Sequence, residues 1–129
     1  MDQATRLLII DDDASDQKLI QESIKKVGFD VEITVAFSGE EGIKKVNDLR
    51  PKVIIVLDTV LPGMSGFETC RKIKEIDKDL KIIICTGVVD AVDVAKARAF
   101  GADDYCVKTA DFLPLVNAIK RLLGPSSEK

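Results

Sequence analysis

Short runs of apolar residues alternate with longer amphipathic segments five times along the 129-residue chain. The first run covers residues 6–10. A segment from about Ala14 to Val27 follows, with Ile20, Ile24 and Val27 on one helical face and Gly28 as its stop. Residues 31–36 form the second run. Ser38 with Glu41 three positions later then opens a helix that carries Ile43, Val46 and Leu49 and ends before Pro51. Residues 53–57 are the third run. Pro62 and Gly63 make a turn, and Ser65 with Glu68 repeats the capping pattern ahead of a helix to about Ile76. Residues 81–85 are the fourth run, followed by a helix from about Val89 to Phe100 that Gly101 stops. After a short run at 104–107, Asp111 is expected to cap a last helix with Leu115, Val116, Ile119, Leu122 and Leu123 in phase; Pro114 falls in its first turn, where proline is tolerated.

Strand followed by helix, repeated in this way, requires right-handed crossovers and an α/β fold, a five-stranded parallel sheet with helices on both faces. The first, third and fourth runs are almost uninterrupted Leu, Ile and Val, the pattern of strands buried on both faces. The second alternates Val31, Ile33 and Val35 with Glu32 and Thr34, and the fifth is short with polar neighbours, so both suit edges. Two such edges give the strand order 2-1-3-4-5 of flavodoxin-like doubly wound sheets. One domain is expected over residues 1–124, and 125–129 read as a polar tail or linker remnant.

Composition removes whole classes of chemistry. The chain has no histidine, so no Ser-His-Asp or Cys-His machinery, no haem and no His-bearing zinc site can be assembled from it, and no imidazole can relay a phosphoryl group. A net charge of −3, a pI near 5.0 and lysines and arginines scattered in pairs argue against direct nucleic-acid binding. The three cysteines, Cys70, Cys85 and Cys106, lack C-x-x-C spacing and read as buried bystanders in a reducing compartment. No apolar run is long enough to span a membrane and the first residues do not resemble a signal peptide, so the expected location is cytoplasmic, with no membrane partner.

In doubly wound sheets ligands bind beyond the carboxyl ends of the strands, where strand order reverses. The first strand runs out into Asp11, Asp12 and Asp13, the third into Asp58, the fourth into Thr86 and the fifth into Lys108. Carboxylates brought that close repel one another unless a cation lies among them. An all-oxygen set suits a hard divalent ion such as Mg2+. A hydroxyl and an ammonium from the next two strands would face an anion bound beside it, which is the composition of a phosphoryl-transfer site. Without a nucleotide motif the acceptor is a side chain, and Asp58, alone at the central strand, is the candidate nucleophile.

The acidic run Asp11-Asp12-Asp13, the segment Asp58-Thr59-Val60-Leu61-Pro62-Gly63-Met64-Ser65-Gly66, Thr86-Gly87, and the stretch from Gly101 through Tyr105 to Lys108 together resemble the receiver domain of two-component response regulators. The resemblance covers Leu7 to Leu123. It implies that Asp58 accepts a phosphoryl group from a sensor histidine kinase or phosphotransfer protein. It implies further that Asp11, Asp12, Asp58 and the backbone carbonyl of Val60 hold Mg2+, that Thr86 hydrogen-bonds the phosphoryl group and that Lys108 pairs with its charge. Tyr105 would then swing inward as Thr86 moves, relaying the change to a downstream protein or output domain through the face of helix four, strand five and helix five. Such a chain is a switch that catalyses only its own phosphorylation and dephosphorylation, rather than an enzyme with a free substrate.

The sequence departs from the family pattern in places. Thr109 stands where proline, joined by a cis bond, usually follows the lysine, so the Lys108–Thr109 peptide is either trans or strained. Asp13 replaces a frequent glutamate, and Ser65 a frequent aspartate. Val60 and Val88 occupy the positions that tune hydrolysis of the aspartyl phosphate, and neither can hydrogen-bond an attacking water, which predicts a long-lived phosphorylated state. Two other functions fit poorly. A flavin carrier would need a phosphate cradle where Asp11–Asp13 would repel the anion, and an aspartyl phosphatase would want a second carboxylate where Val60 stands. The alternative left open is a receiver-like interaction module that acts without phosphorylation.

Overall fold

The computed structural model describes residues 5–87 and 90–124. Their elements run β1 (Thr5–Ile10), α1 (Ala14–Val27), β2 (Val31–Ala36), α2 (Gly39–Leu49), β3 (Val53–Leu57), α3 (Gly66–Ile76), β4 (Lys81–Thr86), α4 (Ala91–Ala99), β5 (Asp104–Val107) and α5 (Leu113–Leu123). All strand pairs are parallel, in the order β2-β1-β3-β4-β5. The expected α/β architecture and strand order are therefore observed. The hydrolysis-tuning position Val88, the expected helix start at Val89 and the tail at 125–129 lie outside the described residues.

Alternation along the strands divides the core into two layers. Leu7, Ile9, Ile54, Val56, Ile83 and Cys85 pack with Ile20 and Ile24 of α1 and with Leu115 and Ile119 of α5. The opposite side chains, Leu8, Ile10, Ile55, Leu57, Ile82 and Ile84, pack with Val46 of α2, Cys70 and Ile73 of α3, and Ala97 of α4. Every residue of β3 is buried, as its unbroken apolar run requires. Among the described residues of α4, only Ala97 is buried, and Val92 is 67% exposed. The sequence of α4 supplies little that could bind it to the sheet.

Polar side chains fix the helix starts. Ser38 and Ser65 accept the N–H groups of Glu41 and Glu68, as the capping pattern predicts. Gly28 ends α1 at φ 86°, a left-handed conformation that glycine adopts without steric cost. Asp90 caps α4, its carboxylate accepting the N–H of Val92. One expected helix start moves. Asp111 is not the capping residue of α5. Phe112 is, in a left-handed conformation, and Asp111 accepts the N–H of Leu113 from one position further out. Strand one also starts one residue early at Thr5, and strand four extends through Thr86. Among the described residues the cis peptide is Arg50–Pro51, so Lys108–Thr109 is trans.

Candidate functional site

The sheet register assembles the site. Ile10 pairs with Leu57 at the ends of β1 and β3, so the next residues, Asp11 and Asp58, leave the sheet side by side. The Asp58 N–H donates to the Ile10 carbonyl at 3.0 Å, and the Asp11 N–H to Ala36 at 3.1 Å. Thr86 pairs with Val107, and the following Lys108 N–H donates to the Thr86 carbonyl at 2.7 Å. Four neighbouring strands thus deliver their terminal polar residues to one rim. The start of α3 is held against it, because a Cβ on Gly66 would lie 2.0 Å from the Asp58 carbonyl oxygen. Only glycine allows that approach.

Asp11, Asp12 and Asp58 each offer one carboxylate oxygen, and the three oxygens lie within 4.8 Å of one another. Asp11 and Asp58 are buried while Asp12 is exposed. The set is hard, anionic and open on one side, which fits an Mg2+ ion that keeps part of its water shell. Asp13 does not join it. Its side chain instead accepts the Asp16 N–H at 3.0 Å and caps α1.

Burial dominates the electrostatics of the rim. It pushes the Asp58 carboxyl from 3.8 to about 6, against the opposing effect of Lys108 and of hydrogen bonds from the Thr59 and Val60 N–H groups; the nearby Asp11 adds to the rise. Asp58 therefore remains ionised at neutral pH. Burial raises Asp11 as well, with Lys108 again opposing. Lys108 loses hydration by burial, yet hydrogen bonds to Asp11 and Asp16 hold its ammonium above the ordinary lysine range. Its Nζ is 2.8 Å from Asp11, 2.7 Å from Asp16 and 3.7 Å from Asp58.

Thr86 reaches the same rim, its hydroxyl 3.0 Å from that of Thr59, the residue after Asp58. Val60 contributes its N–H to the Asp58 carboxylate, while its side chain is 75% exposed. Tyr105 does not join the cluster. It lies half-buried on β5 with Phe100 and Ala102 against the α2–α3–α4 layer, beside a cleft of about 270 Å³ lined also by Val94, Ala97 and Arg98. The cysteines are buried. Cys85 and Cys106 are register partners, and their mutual hydrogen bond, followed by burial, pushes the Cys85 thiol up, away from reactivity.

Sequence reasoning missed Asp16, Thr59 and Gln17. Gln17, buried on α1, donates through Nε2 to the carbonyls of Ile9, Asp11 and Ala36, tying the helix to the ends of β1 and β2. A glutamine on the apolar face of an otherwise regular amphipathic helix was the available signal.

Known proteins resemble this chain in sequence and fold. The response regulator receiver domain family matches residues 7–120. The transcriptional regulatory protein AfsQ1 of Streptomyces coelicolor is 42% identical over 102 residues, covering 79% of this chain and 44% of AfsQ1. The chemotaxis protein CheY of Thermotoga maritima is 32% identical over 117 residues, covering 91% of this chain and 96% of CheY. The chain covers 44% of AfsQ1 and 53% of the mycobacterial response regulator MtrA, about half the length of these curated relatives. Among solved structures, the response regulator TrrA of Thermotoga maritima, in complex with Mg2+ and BeF, superposes with a TM-score of 0.79 at 32% identity over 92% of this chain and 98% of that one. With the family match spanning nearly the whole sheet and the acidic rim intact, this chain belongs to the receiver domain family of two-component response regulators, phosphoacceptor switches of signal transduction.

Proposed function

We propose that Asp58 takes the phosphoryl group, delivered by the histidine of a sensor histidine kinase or phosphotransfer protein. The observation that carries this reading is the placement of Lys108, whose ammonium lies 2.8 Å from Asp11 and 3.7 Å from Asp58, at the mouth of the three-carboxylate cluster. An Asp58 carboxylate oxygen attacks phosphorus as the P–N bond to the donor imidazole breaks. The electron pair stays on the ring nitrogen, which takes up a proton. Burial weakens the hydration of the nucleophile, and the Thr59 and Val60 N–H groups orient it. Asp11, Asp12 and Asp58, with the Val60 carbonyl, would hold Mg2+, which supplies positive charge against the incoming phosphoryl oxygens. Thr86 and Lys108 are the remaining donors for those oxygens.

The output follows from the same placement. Thr86 hydrogen-bonding a phosphoryl oxygen leaves Thr59, and Tyr105, on the neighbouring strand, turns inward beside the cleft under α4. The slight anchoring of α4 makes the α4–β5–α5 face the part whose arrangement is cheapest to change, and a downstream protein or output domain reads it. AfsQ1 is a transcriptional regulatory protein. In a protein of that kind nucleic-acid contact belongs to a separate output domain rather than to this acidic one.

Intact mass of the wild type and of Asp58→Asn, with acetyl phosphate and Mg2+, tests the reading. The wild type gains one phosphoryl group and the variant none. A wild type that stays unmodified overturns it in favour of an interaction module that works without phosphorylation.

A further inference from the structure

Lys108 divides its charge unevenly. Asp16 Oδ2 at 2.7 Å and Asp11 Oδ2 at 2.8 Å both accept hydrogen bonds from Nζ, whereas Asp58 Oδ1 at 3.7 Å lies beyond hydrogen-bond distance. Asp16 is the third residue of α1. An acid there commonly folds back to accept the N–H of the capping residue. That donor, the Asp13 N–H, is already taken by Asp11 Oδ1 at 2.9 Å. The Asp16 carboxylate has no capping partner left and turns across the rim to Lys108 instead. The two side chains are 29% and 14% exposed, so solvent screens this pair less than it would a surface one.

We propose that Asp16 is a positioning residue that holds Lys108 away from Asp58 in the unphosphorylated protein. The proposal rests on Asp58 being the acceptor. A phosphoryl group on Asp58 draws the ammonium off Asp16, so separating the Asp16–Lys108 pair opposes the activated arrangement and sets part of the balance between the two states. Removing the charge of Asp16 releases Lys108 towards Asp58 before any phosphoryl group arrives. Asp16 thereby acts as a restraint on activation built into the first turn of α1.

Calorimetric titration with beryllofluoride at saturating Mg2+, using the full chain, tests this. Asp16→Asn and Asp16→Ser bind the phosphoryl mimic about fivefold more tightly than wild type, the size of one partly exposed ion pair. Asp16→Glu, which keeps the charge, retains wild-type affinity. Asn, Ser and Glu are all accommodated in the first turn of a helix, so a merely structural role for Asp16 would not sort them by charge. Wild-type affinity in both uncharged variants, or equal tightening in all three, overturns the restraint while leaving the acceptor assignment standing. A wild type with no response to beryllofluoride overturns that assignment, and this proposal with it.

Discussion

The hydroxyl of Thr59, next to the proposed acceptor Asp58, lies 3.0 Å from the hydroxyl of Thr86 at the end of β4. Thr86 is 5% exposed, so its hydroxyl depends on this partner rather than on water. The hydrogen bond holds Thr86 in the arrangement that the proposed phosphorylation of Asp58 would break. Thr59→Val keeps the shape of the side chain and removes the bond. Leaving the Thr86 hydroxyl unpaired costs about 1–3 kcal/mol of stability. The same change favours any state in which Thr86 finds another acceptor. The variant is expected to melt several degrees lower than wild type and to bind beryllofluoride more tightly, read by calorimetry and titration. Lower stability without tighter binding would reduce Thr59 to a packing role.

Asp58 gives the metal-free protein a specific pH dependence. Its carboxyl, raised to about 6 in the folded chain from 3.8, holds its proton more tightly folded than unfolded. Its contribution to stability is present below pH 4 and is lost as pH rises through 6, leaving the folded state carrying a buried charge at neutral pH. The shift corresponds to roughly 3 kcal/mol. Asp58→Asn removes the charge, so it is expected to be the more stable protein at pH 7.5 in EDTA. That advantage shrinks as pH falls from 6 to 4. Thermal melts of both proteins across this range check it, and an advantage independent of pH would assign the effect to packing.

Mg2+ is expected to raise the melting temperature of the wild type, because an ion that binds only the folded state stabilises it by mass action. Asp12 isolates this effect. Its side chain is exposed, so Asp12→Asn leaves the core untouched while removing one of three clustered carboxylates. The variant should melt no lower than wild type in EDTA, since it relieves repulsion in the metal-free cluster, yet require at least tenfold more Mg2+ for the same rise. An unchanged Mg2+ requirement would place the ion elsewhere.

Much of this site was legible because strand ends are legible. Apolar runs stop where Asp11, Asp58 and Lys108 begin, and a doubly wound sheet carries all such ends to one rim. Asp16 was not legible. An acid in the first turn of a helix has an ordinary local explanation in the helix dipole, and its contact with Lys108 spans 92 positions that only the assembled sheet brings together. Thr59 was hidden for a similar reason, since nothing beside it in sequence announces a partner 27 residues away. The shift from Asp111 to Phe112 at the start of α5 reflects backbone conformation, a left-handed φ of 52° at a phenylalanine, which side-chain chemistry does not encode.

Val60 leads to a prediction about time. Its N–H hydrogen-bonds the Asp58 carboxylate and its side chain is 75% exposed, so it stands at the mouth of the site as an apolar group open to solvent. Hydrolysis of an aspartyl phosphate needs a water held in line with the phosphorus, and a valine offers it no hydrogen bond. The phosphorylated protein should therefore lose its label slowly. Val60→Asn places a donor and an acceptor at the same position without touching the core, and should accelerate the loss several-fold. Decay of the phosphorylated mass after removal of acetyl phosphate, with Mg2+ present throughout, compares the two directly. Equal decay rates would show that water reaches the phosphoryl group by a route Val60 does not control.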